Sequence, residues 1–359
     1  MNNVPSVMAG VLLIGHGGLD QLVFKEDIPV PRPKPGEVLI QVKAAGVNNT
    51  DINTRLGWYS KKITSDTNAV GLDSSIADAD GSWTGTPLQF PRIQGGDICG
   101  NIVEVGQGVD RERIGSRVLV RSMQNNPNSS DRFVMQTMGS ERDGGFAEYC
   151  VAPAHESFDI RCNWTDVELA STPISYSTAE GMLCRADIQK EKILITGASG
   201  GVGSAAIQLA KIRGATIIAQ CSNDKSSVLK ELGATQTVAR EDSLVEKLGA
   251  NSMDAVIDLV GGFQWPQILD ILKPGGKYVT SGAIAGPIVD LDLRSLYLKD
   301  LTLYGSTVND PYVFERMIQF IEKGQIKPLV SQTFPLKDIR KAQMVFMEKK
   351  FVGKLVLIP

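Results

Sequence analysis

Histidine is almost absent from this chain, and its few cysteines are scattered. His16 and His155 are the only two histidines in 359 residues, so a Ser-His-Asp or Cys-His catalyst would have to use one of them, and neither has neighbours suited to that role. The five cysteines, Cys99, Cys150, Cys162, Cys184 and Cys221, are odd in number and no two form C-x-x-C. That pattern argues against a disulfide framework and against a four-thiolate zinc site in a compact lobe. Cys99 and Cys150 lie in apolar contexts and read as small buried hydrophobes. No apolar run reaches the roughly 18 residues that a membrane-spanning helix needs. The start, MNNVPSVMAG, has neither the basic nor the apolar region of a signal peptide, so a cytoplasmic protein with no membrane partner is expected. Neither sign of charge is in excess: 37 Lys plus Arg face 40 Asp plus Glu, a net charge of -3. A surface built to bind nucleic-acid phosphates is not expected from that balance.

The composition is that of an ordinary globular protein, 42% hydrophobic and 21% charged, and the length of 359 residues suggests two domains or three. Residues 1–155 are β-rich. VLIQVKAAGV (Val38–Val47) alternates apolar and polar and is read as turning at Gly46, while NIVEVG, SRVLVR and GGFAEYCVAP read as further short strands. Two segments, 59–90 and 122–143, are rich in small polar residues and stand out as long insertions, either lids or surface. Residues 156–300 change rhythm to strand, helix, strand: KILIT, SAAIQLAKIR, TIIAQ, SSVLKELG closed by Gly233, then DAVIDLV. Alternation of this kind implies parallel strands with right-handed crossovers, a doubly wound α/β sheet. The tail, 301–359, carries helices near 313–323 and 339–349 and a last strand, GKLVLIP, and is expected to return to the first domain.

The 36 glycines matter for where they fall. Gly197, Gly200, Gly201 and Gly203 lie between the strand KILIT and a helix, together with Ser199 and Val202. A diphosphate can approach a backbone only where side chains are absent, and a helix N-terminus offers it free N–H groups and the positive end of a dipole. The match to G-x-G-x-x-G is imperfect, with Ala198 in the first glycine position, but the strand-loop-helix context is met. At the end of the second strand, about 20 residues on, no acid occupies the tip. Ser222 and Lys225 are there instead, with Arg240 after the third strand, and such donors suit the 2′-phosphate of NADPH over NADH, although Asp224 is close.

These segments also carry a resemblance over nearly the whole chain. GGLDQLVFKEDIPVPRPKPGEVLIQVKAAGVNNTD, GGDICGNIVEVGQGV, GGFAEYCVAP, ILITGASGGVGSAAIQLAK, LKELGA, DAVIDLVGG, LKPGGKYVTSG and VGKLVL resemble the medium-chain dehydrogenases/reductases, in particular the zinc-free branch of quinone oxidoreductases and zeta-crystallin. The resemblance implies a GroES-like catalytic domain split around a Rossmann domain, NADPH in the cleft between them, and a homodimer through the edge of the Rossmann sheet. Zinc-dependent relatives place Cys-His where this chain has Asn48-Asn49, Gly-His-Glu where it has Gly95-Gly96-Asp97, and their third ligand at Ile174. An amide, a glycine and an isoleucine supply no zinc ligand, so no metal is expected; Asp97 reads as a hydrogen-bond partner within the fold.

Without a metal, alcohol oxidation lacks its usual promoter, and reduction of a quinone or an α,β-unsaturated carbonyl by NADPH is the expected reaction. Asn48 is a candidate for polarising the carbonyl, and reads equally as a structural amide. Asn53 stands where many quinone reductases have a tyrosine, with Tyr59 as a replacement donor, while Trp58 could stack on substrate or pack. By resemblance, Thr178 would bond the nicotinamide or its ribose, Gly261 and Gly282 would let the cofactor pass, and Lys354 would reach the phosphates. The alternatives are an enoyl-thioester reductase, an alcohol or aldehyde dehydrogenase, or a non-catalytic NADPH-binding sensor.

Overall fold

The computed structural model describes residues 4–67, 87–126 and 129–359. The chain divides into two compact units: Met1–Ile63, Asn68–Ile174 and Phe314–Pro359 form the first, and Thr64–Thr67 with Ser175–Val313 the second.

In the first unit β1 (Val7–Leu13) pairs with β2 (Leu22–Pro29), and the eleven-residue β3 (Glu37–Val47) follows. β3 is buried on both faces at Val38–Ile40 and Ala44–Val47 and alternates only between them, and the strand does not turn at Gly46. It runs on, with Gly46 opposite Asp97 and Val356. A glycine is needed there because a Cβ would lie 2.5 Å from the carbonyl oxygen of Ala170. The short β4 (Arg92–Ile93) joins β1, and β5 (Asp97–Val105), β6 (Arg117–Val120), β9 (Tyr149–Pro153) and β10 (Ser157–Asp159) extend the sheet around β3. Leu39, Ile40, Ile98 and Phe146 are fully buried in its core. The insertion 122–143 is partly a hairpin, β7 (Met123–Asn125) on β8 (Met135–Thr137), with Met135 and Met138 buried. Most of the insertion at 59–90 lies outside the described residues.

The second unit holds a six-stranded parallel sheet in the order β13-β12-β11-β14-β15-β16. Its strands are β11 (Lys192–Ile195), β12 (Thr216–Cys221), β13 (Gln236–Ala239), β14 (Met253–Asp258), β15 (Leu272–Thr280) and β16 (Thr302–Gly305). They read as continuous apolar runs because helices cover both faces of such a sheet; Leu194, Ile195, Val256 and Ile257 have no exposed surface. The helices Gly201–Arg213 and Ser226–Leu232 end on glycines with positive φ, Gly214 at 82° and Gly233 at 131°.

The tail then returns to the first unit as β17 (Val330–Pro335) and β18 (Lys354–Ile358), with the helices Pro311–Glu322 and Ile339–Glu348. The divisions fall later than the 155 and 300 read from the sequence. β10 pairs with β6, which keeps residues through Asp159 in the first unit, and β16 pairs with β15, which keeps residues through Gly305 in the second; the units themselves end at Ile174 and Val313. Backbone pairing, invisible in local composition, carries each unit past the limits read from the sequence.

Candidate active site

In the first unit β3 ends at Val47 and the helix Asn49–Leu56 begins, so Asn48 sits at a strand-to-helix corner. Its amide is buried in a charged cluster. Asn48 Nδ2 donates to Asp97 Oδ2 at 2.8 Å, Lys354 Nζ donates to the same oxygen at 2.7 Å, and Lys354 also donates to Asn48 Oδ1. The other carboxylate oxygen of Asp97 accepts the backbone N–H of Ile174 at 2.6 Å. A second carboxyl, Asp51, accepts the N–H of Asn48 at 2.8 Å. Burial pushes the Asp51 carboxyl up to about 7, against the pull of that hydrogen bond and of Lys354.

The positions read as counterparts of zinc ligands therefore do converge. A Cβ on Gly96 would lie 2.8 Å from Ile174 Cδ1, and Asp97 binds both Asn48 and Ile174. What they bring together is an amide, a methyl-bearing side chain and an ammonium-carboxylate pair, a donor set that does not fit zinc. Among the described residues no group of three or more His, Cys, Asp or Glu is placed to hold a metal ion.

Lys354 requires a correction. It was expected to reach cofactor phosphates, but its side chain is only 5% exposed and its ammonium is held by Asp97 and Asn48. A buried carboxylate at this distance holds the charge inside the fold. Asn53 is buried and accepts from Asn49 Nδ2 at 3.1 Å. Tyr59 is half-buried, edge-on to Trp58 with ring centres 5.7 Å apart. Trp58 packs against the core of the unit. His16 lies 2.8 Å from the carbonyl oxygen of Thr54, and His155 is exposed beside Glu156. Cys99 and Cys150 are buried, and burial pushes the Cys150 thiol up to about 12.

In the second unit the glycine loop leads from β11 into the helix Gly201–Arg213. Its glycines differ in what they answer to. A Cβ on Gly203 would lie 2.4 Å from Gly197 O and 2.5 Å from Ala198 Cα, so packing alone demands glycine there. A Cβ on Gly200 would meet nothing nearer than Gly197 O at 3.6 Å. The space above Gly200 is open, and Gly200 is the N-cap of a thirteen-residue helix that no side chain caps. An open backbone cradle at an uncapped helix start fits a diphosphate. Gly197 has φ 56°, Ser199 is buried, and Gly201 and Val202 form the half-buried first turn.

Asp258, at the end of β14, holds this loop from beneath. It has no exposed surface and accepts from Thr196 Oγ1 at 2.5 Å, Tyr278 Oη at 2.7 Å and the N–H of Val260 at 2.9 Å. The signal was present in the sequence as an acid inside the apolar run DAVIDLV, since a buried carboxylate must collect donors.

At the end of β12 the Ser222 side chain is hydrogen-bonded to the Asp224 carboxylate, which lowers the Asp224 pKa. Lys225 is buried, and desolvation and the nearby positive charge of Arg240 hold its pKa below the usual lysine range. Arg240 is exposed, and its carbonyl accepts from Gln264 Nε2 at 2.9 Å. Thr178 is half-buried within the helix Pro173–Arg185. Gly261 has φ 64°, and a Cβ on Gly282 would lie 3.0 Å from Leu259 O, so both glycines have local backbone reasons of their own.

Comparison with known proteins places this geometry. The family described as "Alcohol dehydrogenase GroES-like domain" matches residues 34–161, and "Zinc-binding dehydrogenase" matches residues 201–323. A crystal structure from Sinorhizobium meliloti 1021, provisionally named an alcohol dehydrogenase, is 45% identical, covers 100% of this chain and 98% of its own, and superposes with a TM-score of 0.90. Human quinone oxidoreductase is 26% identical over 367 residues, 98% of each chain. A NAD-dependent alcohol dehydrogenase of Sulfurisphaera tokodaii is 29% identical over 93% of this chain and 96% of its own.

Proposed function

Because this chain belongs to the medium-chain dehydrogenase/reductase family of oxidoreductases, we propose that it reduces quinones or α,β-unsaturated carbonyls with NADPH and without zinc. The observation that carries the reading is the cluster at the strand-to-helix corner, where Asn48, Gly96 and Ile174 stand at the positions matched to metal ligands and the Lys354–Asp97 pair holds the Asn48 amide. As hydride adds to a conjugated carbonyl, an amide N–H can stabilise the oxygen that gains negative charge, and water supplies the proton that completes the product. When bound, a reduced nicotinamide supplies the hydride. The loop Gly197–Gly203 fits its diphosphate, since Gly200 leaves open space above an uncapped helix. Buried Lys225 beside Arg240 supports the 2′-phosphate form over NADH, because two neighbouring cations favour a dianion between them.

The test is NADPH oxidation against quinones, enones, enals and crotonyl thioesters, with metal content measured on the same preparation. Turnover of a quinone or enone by protein without stoichiometric metal is the expected result. Tight NADPH binding with no turnover would favour a sensor, and bound zinc would overturn the metal-free reading. Alcohol oxidation is the second reading, favoured by the name of the 45% identical relative. It predicts NAD(P)⁺ reduction by simple alcohols at a rate exceeding enone reduction.

A homodimer through the edge of the parallel sheet and a cytoplasmic location belong to the same proposal. β16 is an edge strand, and Ile288, Leu293, Tyr297 and Leu298 just before it are 67%, 63%, 62% and 71% exposed. Apolar residues crowded beside an open edge favour a covering partner. Leu298→Glu should shift the sedimentation coefficient to that of a monomer. No helix among the described residues is long and apolar enough to cross a membrane.

A further inference from the structure

We propose that Lys354 and Asp97 are positioning residues that lock the Asn48 amide in a donor-only orientation, which restricts the reacting group to a carbonyl or quinone oxygen. This inference rests on the carbonyl-reduction reading above and names what selects its substrate.

An asparagine amide has an accepting end and a donating end, and Asn48 has an absolute reason to face one way. An ammonium has only donors and an ionised carboxylate only acceptors. Lys354 therefore takes Oδ1 and Asp97 takes Nδ2. The flipped amide would set its N–H groups against the ammonium and its oxygen against the carboxylate. Side chains of Lys354 and Asp97 are 5% and 0% exposed, so water does not dilute that preference.

The grip comes from both sides of one strand. β3 delivers Asn48, and its two neighbours deliver the clamp: Asp97 opens β5 opposite Gly46, and Lys354 opens β18, where Leu355 faces Val47. The sheet register thus holds both charges beside the amide. One proton of Asn48 Nδ2 is taken by Asp97, and the other makes only a long hydrogen bond to Gly46 O at 3.4 Å. A substrate oxygen would displace that weaker contact. Lys354 takes one lone pair of Oδ1, which makes it a poorer acceptor for the hydroxyl proton of an alcohol. A ketone, aldehyde or quinone, whose oxygen only accepts, suits the site.

The experiment uses the full chain with NADPH and with 4-(dimethylamino)cinnamaldehyde, an enal whose absorption moves to the red as its carbonyl accepts a stronger hydrogen bond. Single loss of either charge leaves the other buried and unpaired, so the informative variant is Asp97→Asn with Lys354→Met. Expected are an NADPH Kd within about twofold of the parent, a red shift cut by roughly half or more, and kcat lowered about tenfold or more. Asn48→Ala should lower kcat about a hundredfold, and adding the pair to it should change kcat little further, because all three act through one N–H. Lys354→Arg with Asp97 retained should restore most of the shift. Unchanged shift and kcat in the double variant, or full additivity with Asn48→Ala, would overturn the clamp while leaving carbonyl reduction intact. A parent protein that neither shifts the enal nor turns over any carbonyl overturns the reduction reading, and the clamp with it.

Discussion

Thr196 donates its hydroxyl to Asp258 at 2.5 Å and so ties the end of β11 to the end of β14. The same hydroxyl accepts the N–H of Leu259 at 2.9 Å, which makes it a two-way joint under the glycine loop. Tyr278 adds a third strand end; burial and the charge of Asp258 keep its phenol protonated far into the alkaline range, so it remains a donor. Thr196→Val should cost about 1–3 kcal/mol of unfolding free energy in urea, the range for an orphaned buried partner. It should also weaken NADPH, because the loop that would hold the diphosphate starts at the next residue. A stability loss with unchanged Kd would separate the joint from the loop.

Gly200 and Gly203 should fail in different ways. Gly203→Ala drives a methyl into Gly197 O at 2.4 Å and should cost roughly 1–3 kcal/mol or more, visible as a lowered Tm. The Cβ of Gly200→Val meets only Gly197 O at 3.6 Å, so the Tm should fall far less than for Gly203→Ala while NADPH affinity collapses. Calorimetry and thermal melting on the same two proteins decide it, and equal Tm losses would contradict the open-cradle assignment.

Lys225→Ala should weaken NADPH much more than NADH. A charge-assisted hydrogen bond lost to a phosphate costs roughly 1.5–3 kcal/mol, about tenfold or more in Kd. Equal losses for both cofactors would remove Lys225 from a 2′-phosphate site.

Asp51 should make the protein less stable as pH rises. Its folded-state pKa, about 7, lies above the ordinary carboxylate value of 3.8, so protons bind the folded state more tightly. The resulting stabilisation is complete below the unfolded pKa and is lost as pH climbs towards 7. The difference corresponds to about 4 kcal/mol across that window. Asp51→Asn, which cannot ionise, should flatten this part of the profile: relative to the parent it gains stability between pH 4 and pH 8 in urea titrations. A constant difference at both pH values would show that Asp51 titrates normally.

How much of this was legible beforehand depends on the range of the interaction. The strands β11, β12 and β14, the helix after the glycine loop and the two tail helices were readable because hydrophobic periodicity and glycine stops act over a few residues. The convergence of Asn48, Gly96 and Ile174 was readable only through resemblance. Gly46 misled, because a glycine inside a strand and a glycine at a turn look alike until the carbonyl of Ala170 is placed against it. Asp51 gave no sign of its burial, and Lys354 read as a solvated strand-end lysine or a phosphate contact.

By itself, then, the amino-acid order determined the class of fold, a β-rich unit with an inserted parallel sheet, and a side-chain-free loop at a helix start. Tertiary structure decided the partners of the charges. Lys354 meets Asn48 across 306 positions and Asp97 across 257, and Thr196 meets Asp258 across 62. Local propensity carries no information over such separations. Only the pairing of β3 with both β5 and β18, and of β11 with β14, brings those side chains within hydrogen-bond reach.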